Sequence, residues 1–252
     1  MNTTKAAGQS IDELMERASA ALVATHYFEA EKLALKALDQ ACAAQDFERM
    51  ARICMPLQEA RRQKRHEAID AGATFMLRSL PARGTALAPG CYLLIPPAIG
   101  IEAQTLRNMA DRKKTPALVL CKEPTAASGN WPLVGVSGTD RESLVMRVQV
   151  PPPEGFENMT PMIAGEGPRQ GPPATWFLAS QEALGDAAIA KMAANPKLPP
   201  DYRALDLYEY LRAVPDHEKL HQALEAACRE AAVVGPSPHP RRRAVIDDPY
   251  GF

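Results

Sequence analysis

Apolar residues recur at helical spacing through the N-terminal part of the chain. Ser10 followed by Glu13 forms a capping box, in which the serine hydroxyl and the glutamate carboxylate bind otherwise unpaired backbone amides, so a first helix is expected to begin there. The apolar spacing predicts three helices between Ser10 and about residue 70, with a break near Thr25. Pro56 is expected to kink or end the third helix because proline lacks the amide donor.

Beyond Gly72 the pattern changes to that of a small mixed sheet. Buried strands are predicted at 91–95 and 117–121, with a polar-faced helix over 102–114 between them. This order and the short links are typical of a parallel crossover. Further strands are predicted at 132–136, 143–150 and 174–179. We therefore expect a mixed sheet of four or five strands.

The C-terminal part returns to helical spacing. Ser180 is expected to cap a helix over 181–194, Asp201 is expected to cap a second over 202–213, and a third is predicted over 215–233. The predicted fold is α+β, an antiparallel array of N-terminal helical hairpins packed with a small mixed sheet and C-terminal helices. Its regions are a helical segment at 1–72, a sheet segment at 73–179 with a proline-rich loop at 151–173, C-terminal helices at 180–234 and an extended tail at 235–252.

The charge balance excludes one large class of partners. The 252 residues carry 29 lysines and arginines against 30 aspartates and glutamates, so no global field exists to attract nucleic acid or an anionic membrane. Two basic clusters, 61–66 and 241–243, are expected to be solvated faces, the first because cations complement a helix end. No apolar run approaches a membrane span and the N-terminus is polar, which predicts a cytoplasmic protein.

The five cysteines are scattered and form no closely spaced pair. A disulfide framework or a zinc ribbon needs paired spacing, so neither is expected. Most of the cysteines lie among apolar neighbours, as Cys121 and Cys228 do. We expect them to be small buried hydrophobic residues without a catalytic or metal-binding role.

Residues 11–57 resemble a tetratricopeptide-type helical hairpin. The segment 27–38 looks like the second helix of such a repeat, with small residues that let neighbouring helices approach closely. Leu14 would occupy a matching place on the first helix, and Phe47 and Ala51 would restart the pattern about 33 residues later. The large aromatic residue, the glycine and the closing proline of the family have no clear counterpart in the first unit.

The resemblance implies a peptide-binding groove lined by side chains of the first helix of each unit. Met15 and Ser19 from one unit and Glu48 and Arg52 from the next are the candidate partner-binding residues. One and a half repeats do not cover their own apolar face, because each unit buries that face on its neighbour. The rest of the chain or a second copy must therefore cover it, and homo-oligomerisation stays open.

The sharpest local motif is the sequence H-E-K-L-H at 217–221, which fits the H-E-x-x-H pattern of zinc peptidases. His217 and His221, one helical turn apart, could share a metal while Glu218 acts as a base toward bound water. The motif lies in the first turn of its predicted helix, which disfavours this chemistry. The alternative is that residues 220–231 supply a buried apolar stripe and that both histidines flank it at the water boundary.

The favoured interpretation of the sequence is a non-catalytic interaction or adaptor protein with a protein or peptide partner and with no cofactor, bound metal or catalytic residue. One alternative is a zinc-dependent hydrolase built on His217, Glu218 and His221. A second alternative is a small-molecule sensor that uses the sheet and the proline-rich loop at 151–173.

Overall fold

The computed structural model describes residues 9–125, 129–138, 143–157 and 162–237. The helices are α1 Ile11–Val23, α2 Tyr27–Ala43, α3 Phe47–Asp70, α4 Gly100–Arg112, α5 Ala174–Ala193, α6 Pro200–Ala213 and α7 Glu218–Val234. The strands are β1 Thr74–Leu77, β2 Gly90–Leu94, β3 Ala117–Lys122, β4 Trp131–Val136, β5 Val145–Val150 and β6 Arg169–Gln170. The predicted tail from residue 238 onward, with its cluster at 241–243, lies outside the described residues.

The three predicted N-terminal helices are present, with the start at Ser10 and the break near Thr25 where the sequence predicts them. Ser10 and Glu13 form the expected capping box at the start of α1, with the Glu13 amide 3.2 Å from the Ser10 hydroxyl and the Ser10 amide 2.8 Å from the Glu13 carboxylate. Similar turns follow α1 and α2. In them, Thr25 and Gln45 adopt left-handed backbone conformations with φ angles of 60° and 53°. Helix α1 packs against α2, and α2 packs against α3, an arrangement compatible with an array of helical hairpins.

The expectation that Pro56 kinks or ends the third helix is wrong about its end. Helix α3 is 24 residues long and continues through Pro56 to Asp70. Three side chains near this proline, Ile53, Cys54 and Leu57, are fully buried. Their burial against α2 and α7 outweighs the cost of one interior proline, which is about 3 kcal/mol. Tertiary packing therefore overrides the local signal at this position.

The six strands form one mixed sheet in the order β5-β4-β3-β2-β1-β6. The predicted parallel crossover is confirmed, because β2 and β3 are parallel neighbours joined through α4. Strand β1 adds a second parallel pair, while β4, β5 and β6 pair antiparallel with their neighbours. The short strand β6 was not expected from the sequence.

Both faces of the sheet are covered by helices. On one face, Leu94 and Val119 pack with Leu106 of α4. On the other face, Leu93 and Leu118 pack in the cluster that contains Phe177 of α5 and also Ala68 of α3. Because both faces are buried, β2 and β3 consist of continuous apolar runs, as the sequence shows.

The prediction of a strand at 174–179 is wrong. These residues form the first turns of α5, and Ser180 is buried within that helix instead of capping it. A short apolar run fits a buried strand and a buried helix equally well, so periodicity could not separate the two. Trp176 makes edge contacts with Trp131 and Phe177, which fixes the start of α5 against the sheet.

Asp201 does not cap α6 as predicted. It lies within the first turn of the helix and is buried. Its carboxylate accepts hydrogen bonds from the amide of Ser237 at 2.9 Å and from the Ser237 hydroxyl at 2.8 Å. The residue therefore anchors the chain that follows α7 to the start of α6.

A second core joins the N-terminal and C-terminal helices. Leu14, Leu38 and Met50 share one apolar cluster with Leu211 and Leu224. The predicted regions 1–72 and 180–234 therefore contribute to a common core, and α7 packs directly on α3. None of the helices within the described ranges is both long and apolar enough to cross a membrane.

Candidate functional site

The four predicted partner-binding residues lie on α1 and α3. Ser19, Glu48 and Arg52 are exposed, and Met15 is half-buried against the helical core. Helical spacing places two further apolar side chains beside them, because Val23 follows Ser19 and Met55 follows Arg52 by about one turn. We call the surface made by Met15, Ser19, Val23, Glu48, Arg52 and Met55 the first-helix face.

The first-helix face exposes large apolar side chains. Val23 is 87% exposed and Met55 is 70% exposed. A salt bridge joins its two helices, since the Arg49 guanidinium lies 2.7 Å and 3.0 Å from the two carboxylate oxygens of Asp12. The same hydrogen bonds from Arg49 hold the pKa of Asp12 below its ordinary value. The face therefore combines exposed apolar side chains with a fixed pair of helices.

The histidines of the 217–221 motif are buried, so the prediction that they flank the water boundary is wrong. His217 is 0% exposed and His221 is 1% exposed. The predicted apolar stripe of the same helix is confirmed, because Leu220, Leu224, Ala227 and Ala231 are all buried. The motif therefore belongs to the interior at the start of α7.

The two imidazole rings have separate structural partners. His217 caps α7, with its Nδ1 accepting from the Leu220 amide at 3.2 Å. His221 has its Nε2 3.2 Å from the Arg61 guanidinium and its Nδ1 2.9 Å from the His217 carbonyl. A guanidinium only donates, so Nε2 of His221 is the acceptor and Nδ1 carries the proton. Glu218 pairs with Arg65. The geometry does not support a metal shared by His217 and His221.

A different cluster surrounds the remaining nitrogen of His217. Its Nε2 lies 3.3 Å from Asp186 and 3.4 Å from Glu182, without an aligned hydrogen bond to either. Because Nδ1 accepts from a backbone amide, the neutral ring carries its proton on Nε2 and offers no lone pair there to a metal. The Lys219 ammonium, 3.0 Å from Asp186, already supplies a cation to both carboxylates. The cluster therefore acts as an ion-paired cap at the start of α7.

The basic cluster at 61–66 is largely buried, and its prediction as a solvated face is wrong. Arg61 is only 5% exposed, and its Nε donates to Glu31 of α2 at 2.8 Å while Nη1 reaches the Pro215 carbonyl at 3.2 Å. Lys64 lies between the carboxylates of Glu31 and Asp111. Arg65 donates to the Asp216 carbonyl at 2.7 Å and pairs with Glu218. These cations join α2, α3, α4 and α7.

A sequence signal for this burial exists in the helical spacing. Met50, Leu57, Arg61 and Lys64 follow one another at three- to seven-residue intervals, so the cations continue the buried stripe of α3. Their carboxylate partners come from distant segments, which the sequence does not reveal. Burial raises the pKa of Glu31, but Lys64 and Arg61 outweigh it and lower that pKa to about 2. Glu31 is therefore ionised at neutral pH.

The buried histidines make stability depend on pH. Burial, together with the nearby Arg61 charge, lowers the pKa of His221 from 6.5 to about 3. Between these values the unfolded chain binds a proton that the folded chain does not, so the free energy of unfolding should fall as the pH decreases below 6.5. The expected slope is up to about 1.4 kcal/mol per pH unit for one such histidine. Urea titrations at pH 6.5 and pH 5 measure this slope. Both pH values lie above the range in which protonation of Glu31 begins to change the free energy of unfolding.

The matched control for this slope is His66, which is exposed on α3. His221→Gln should reduce the loss of stability between pH 6.5 and pH 5 by about 1–2 kcal/mol. His66→Gln should leave it unchanged. An equal slope in wild type and His221→Gln would show that His221 is not the group that titrates. Burial also lowers the pKa of His217, so a smaller slope of the same sign should persist in the variant.

The cysteines are packing residues in this fold. Cys54, Cys91, Cys121 and Cys228 are buried, and Cys42 is partly buried. Burial raises the pKa of Cys91 to about 11 and the pKa of Cys121 and Cys228 to about 12. These three thiols are therefore protonated at neutral pH and are not activated nucleophiles.

A small cavity lies between α4, the sheet and α5. Arg107, Gly135, Gln181 and Asp216 are among its lining residues, and its volume is about 20 Å³. This is room for roughly one water molecule. The side-chain nitrogens Arg107 Nε and Gln181 Nε2 have no protein partner and are suitable donors to such a water. The cavity is too small for the metabolite that the sensor hypothesis needs.

No protein-family model, curated protein or solved structure matches this chain.

Proposed function

We propose that this chain is a non-catalytic binding protein of the adaptor kind, which holds a peptide segment of a partner protein on the first-helix face. The observation that carries the proposal is the exposure of Val23 and Met55 beside Ser19 and Arg52. Large apolar side chains that are exposed beside polar residues are a feature of interaction surfaces.

The distribution of the chemistry-bearing groups supports a binding role over a catalytic one. His217 and His221 cap and pack α7, and Glu218 pairs with Arg65. In contrast, Glu48 and Arg52 lie exposed, one turn apart on α3. An extended or helical peptide could place apolar side chains on Met15 and Met55 and pair its charges with these two residues. The tetratricopeptide resemblance implies a peptide groove lined by Met15, Ser19, Glu48 and Arg52.

Selection of displayed random peptides against the intact protein tests the proposal. Peptides that bind wild type should lose at least tenfold in affinity, about 1.4 kcal/mol, when Met15, Ser19, Glu48 and Arg52 are all replaced by alanine. Three of these side chains are exposed, so the variant should remain folded, which circular dichroism checks. Arg229→Ala on the exposed side of α7 is the matched control and should bind normally. Selection of no peptide, or equal binding by both proteins, would contradict the proposal.

A further inference from the structure

A second surface of the molecule forms an open groove between α2 and α4. Its volume is about 660 Å³. Phe28, Leu33 and Leu35 of α2 supply apolar lining, and Lys64 of α3 lies among the lining residues. Asp111, Arg112 and Lys114 form the opposite side at the end of α4. We call this the α2–α4 groove; it shares no residue with the first-helix face.

The acidic side chains of the α2–α4 groove already have partners. Glu31 and Asp111 both bind Lys64. Glu29 lies 3.9 Å from Arg17, and Asp39 accepts from the Tyr208 hydroxyl at 2.5 Å. Lys64 and Arg17 therefore pair with three of these carboxylates, whereas Asp39 receives a hydrogen bond from a neutral hydroxyl, which does not cancel its charge.

Several cations of the groove have no such partner. Lys32 on one wall and Arg112 and Lys114 on the other are exposed, and no acidic partner for them occurs among residues 9–125, 129–138, 143–157 and 162–237. The Lys36 ammonium donates to the amide oxygen of Gln9, at 3.4 Å. Exposed cations therefore lie on both sides of the groove, beside the apolar lining residues of α2.

From this complementarity we infer that the α2–α4 groove binds an acidic, amphipathic peptide segment. Carboxylates of the segment would face Lys32 and Lys36 on α2 and Arg112 and Lys114 on α4. Apolar side chains would lie on Phe28, whose ring already has the Lys64 ammonium 4.5 Å from its centre. Lysines one turn apart on α2 match acidic side chains one turn apart on a helical ligand.

The charge pattern along α2 favours a peptide over a nucleic acid. Glu29, Lys32, Lys36 and Asp39 follow one another along the groove wall. A continuous phosphate backbone would pass both carboxylates and be repelled there, whereas a peptide can place acids only opposite the lysines. The apolar lining residues of α2 likewise match aliphatic side chains better than phosphates.

The walls of the groove are held in place before any ligand binds. Lys64 of α3 links Glu31 of α2 to Asp111 of α4. Arg61, also on α3, binds Glu31 as well. Fixed walls reduce the conformational cost of binding, because the ligand does not have to order them. The buried charge network thus positions the groove.

Fluorescence anisotropy with synthetic peptides tests the inference on the full chain. The probe is a labelled twelve-residue helical peptide of about equal glutamate and leucine content, compared with the same peptide carrying lysine in place of glutamate and with one carrying serine in place of leucine. We expect the acidic amphipathic peptide to bind at least tenfold tighter than either. Failure of that peptide to bind, or equal binding by all of them, would overturn the inference.

Charge reversal locates the site. Lys32→Glu, Arg112→Glu and Lys114→Glu in one protein should weaken binding of the acidic peptide at least tenfold. The matched control is Arg83→Glu, Lys197→Glu and Arg229→Glu, which changes the net charge equally at exposed positions off the groove and should alter binding less than twofold. Equal losses in the two triple variants would overturn the assignment to this groove.

Two further outcomes complete the test. A labelled single-stranded oligonucleotide should bind more weakly than the acidic peptide, and stronger binding by the oligonucleotide would overturn the choice of a peptide. The quadruple alanine variant of the first-helix face should bind the acidic peptide normally. Loss of binding in that variant would overturn the placement of the site between α2 and α4.

Discussion

Replacing Arg61 by methionine should lower the free energy of unfolding by about 3 kcal/mol, since removing one partner of a buried ion pair leaves an inadequately compensated charge. Arg61 binds Glu31, the Pro215 carbonyl and His221, so its loss removes partners from three places at once. Methionine retains the length and apolar character of the side chain, which limits the packing loss. Urea denaturation monitored by circular dichroism measures the change.

Arg52→Met is the matched control, because Arg52 is an exposed arginine on the same helix. Its expected effect is within about 0.5 kcal/mol. Combining Arg61→Met with Glu31→Leu should recover part of the loss, since the buried carboxylate is removed as well. A loss below about 1 kcal/mol for Arg61→Met alone would show that Lys64 suffices to compensate Glu31.

Gly185→Ala should destabilise the fold by about 2 kcal/mol or more. Gly185 lies in α5, and a methyl group on it would lie 2.1 Å from the His217 ring. Overpacking of this kind costs about 1–3 kcal/mol and sometimes more. Alanine gains about 1 kcal/mol in helix propensity, so a net loss of about 2 kcal/mol corresponds to a steric cost of about 3 kcal/mol. Thermal and urea unfolding of the variant measure it.

The partner substitution His217→Ser isolates the overlap. Serine also serves as a helix N-cap, so α7 keeps its first hydrogen bond while the ring is removed. In the His217→Ser protein, Gly185→Ala should cost less than about 1 kcal/mol, because the clash no longer exists. An equal cost in both backgrounds would show that the loss of stability does not arise from overlap with the His217 ring.

Local signals in the sequence predict much of the secondary structure. The capping box at Ser10 and the break near Thr25 are confirmed, because both depend on residues within one turn. The parallel crossover through α4 is also confirmed, since a buried strand, a helix and a buried strand with short links allow few arrangements. The prediction at Pro56 was wrong because burial overrode a local preference, and the strand at 174–179 was wrong because a short apolar run does not distinguish a strand from a helix.

The sequence indicated one of the two candidate binding surfaces and not the other. The sequence indicated Met15, Ser19, Glu48 and Arg52 through a resemblance, and their peptide-binding role stays a prediction. It did not indicate the α2–α4 groove, because that groove combines α2 with the end of α4 from beyond the first strands of the sheet. The sequence did offer one signal for the buried charge network beside the groove, because Arg61 continues the apolar stripe of α3.

By itself, the sequence determined where the N-terminal helices begin, that β2 and β3 are buried and which residues carry charge, since these depend on neighbours along the chain. Only the tertiary structure decided what those charges do. It buries Arg61 against Glu31 and His221, and leaves Lys32 and Arg112 exposed across a groove. The physical reason is that desolvation and pairing depend on segments that fold together from distant parts of the chain, and no local pattern records them.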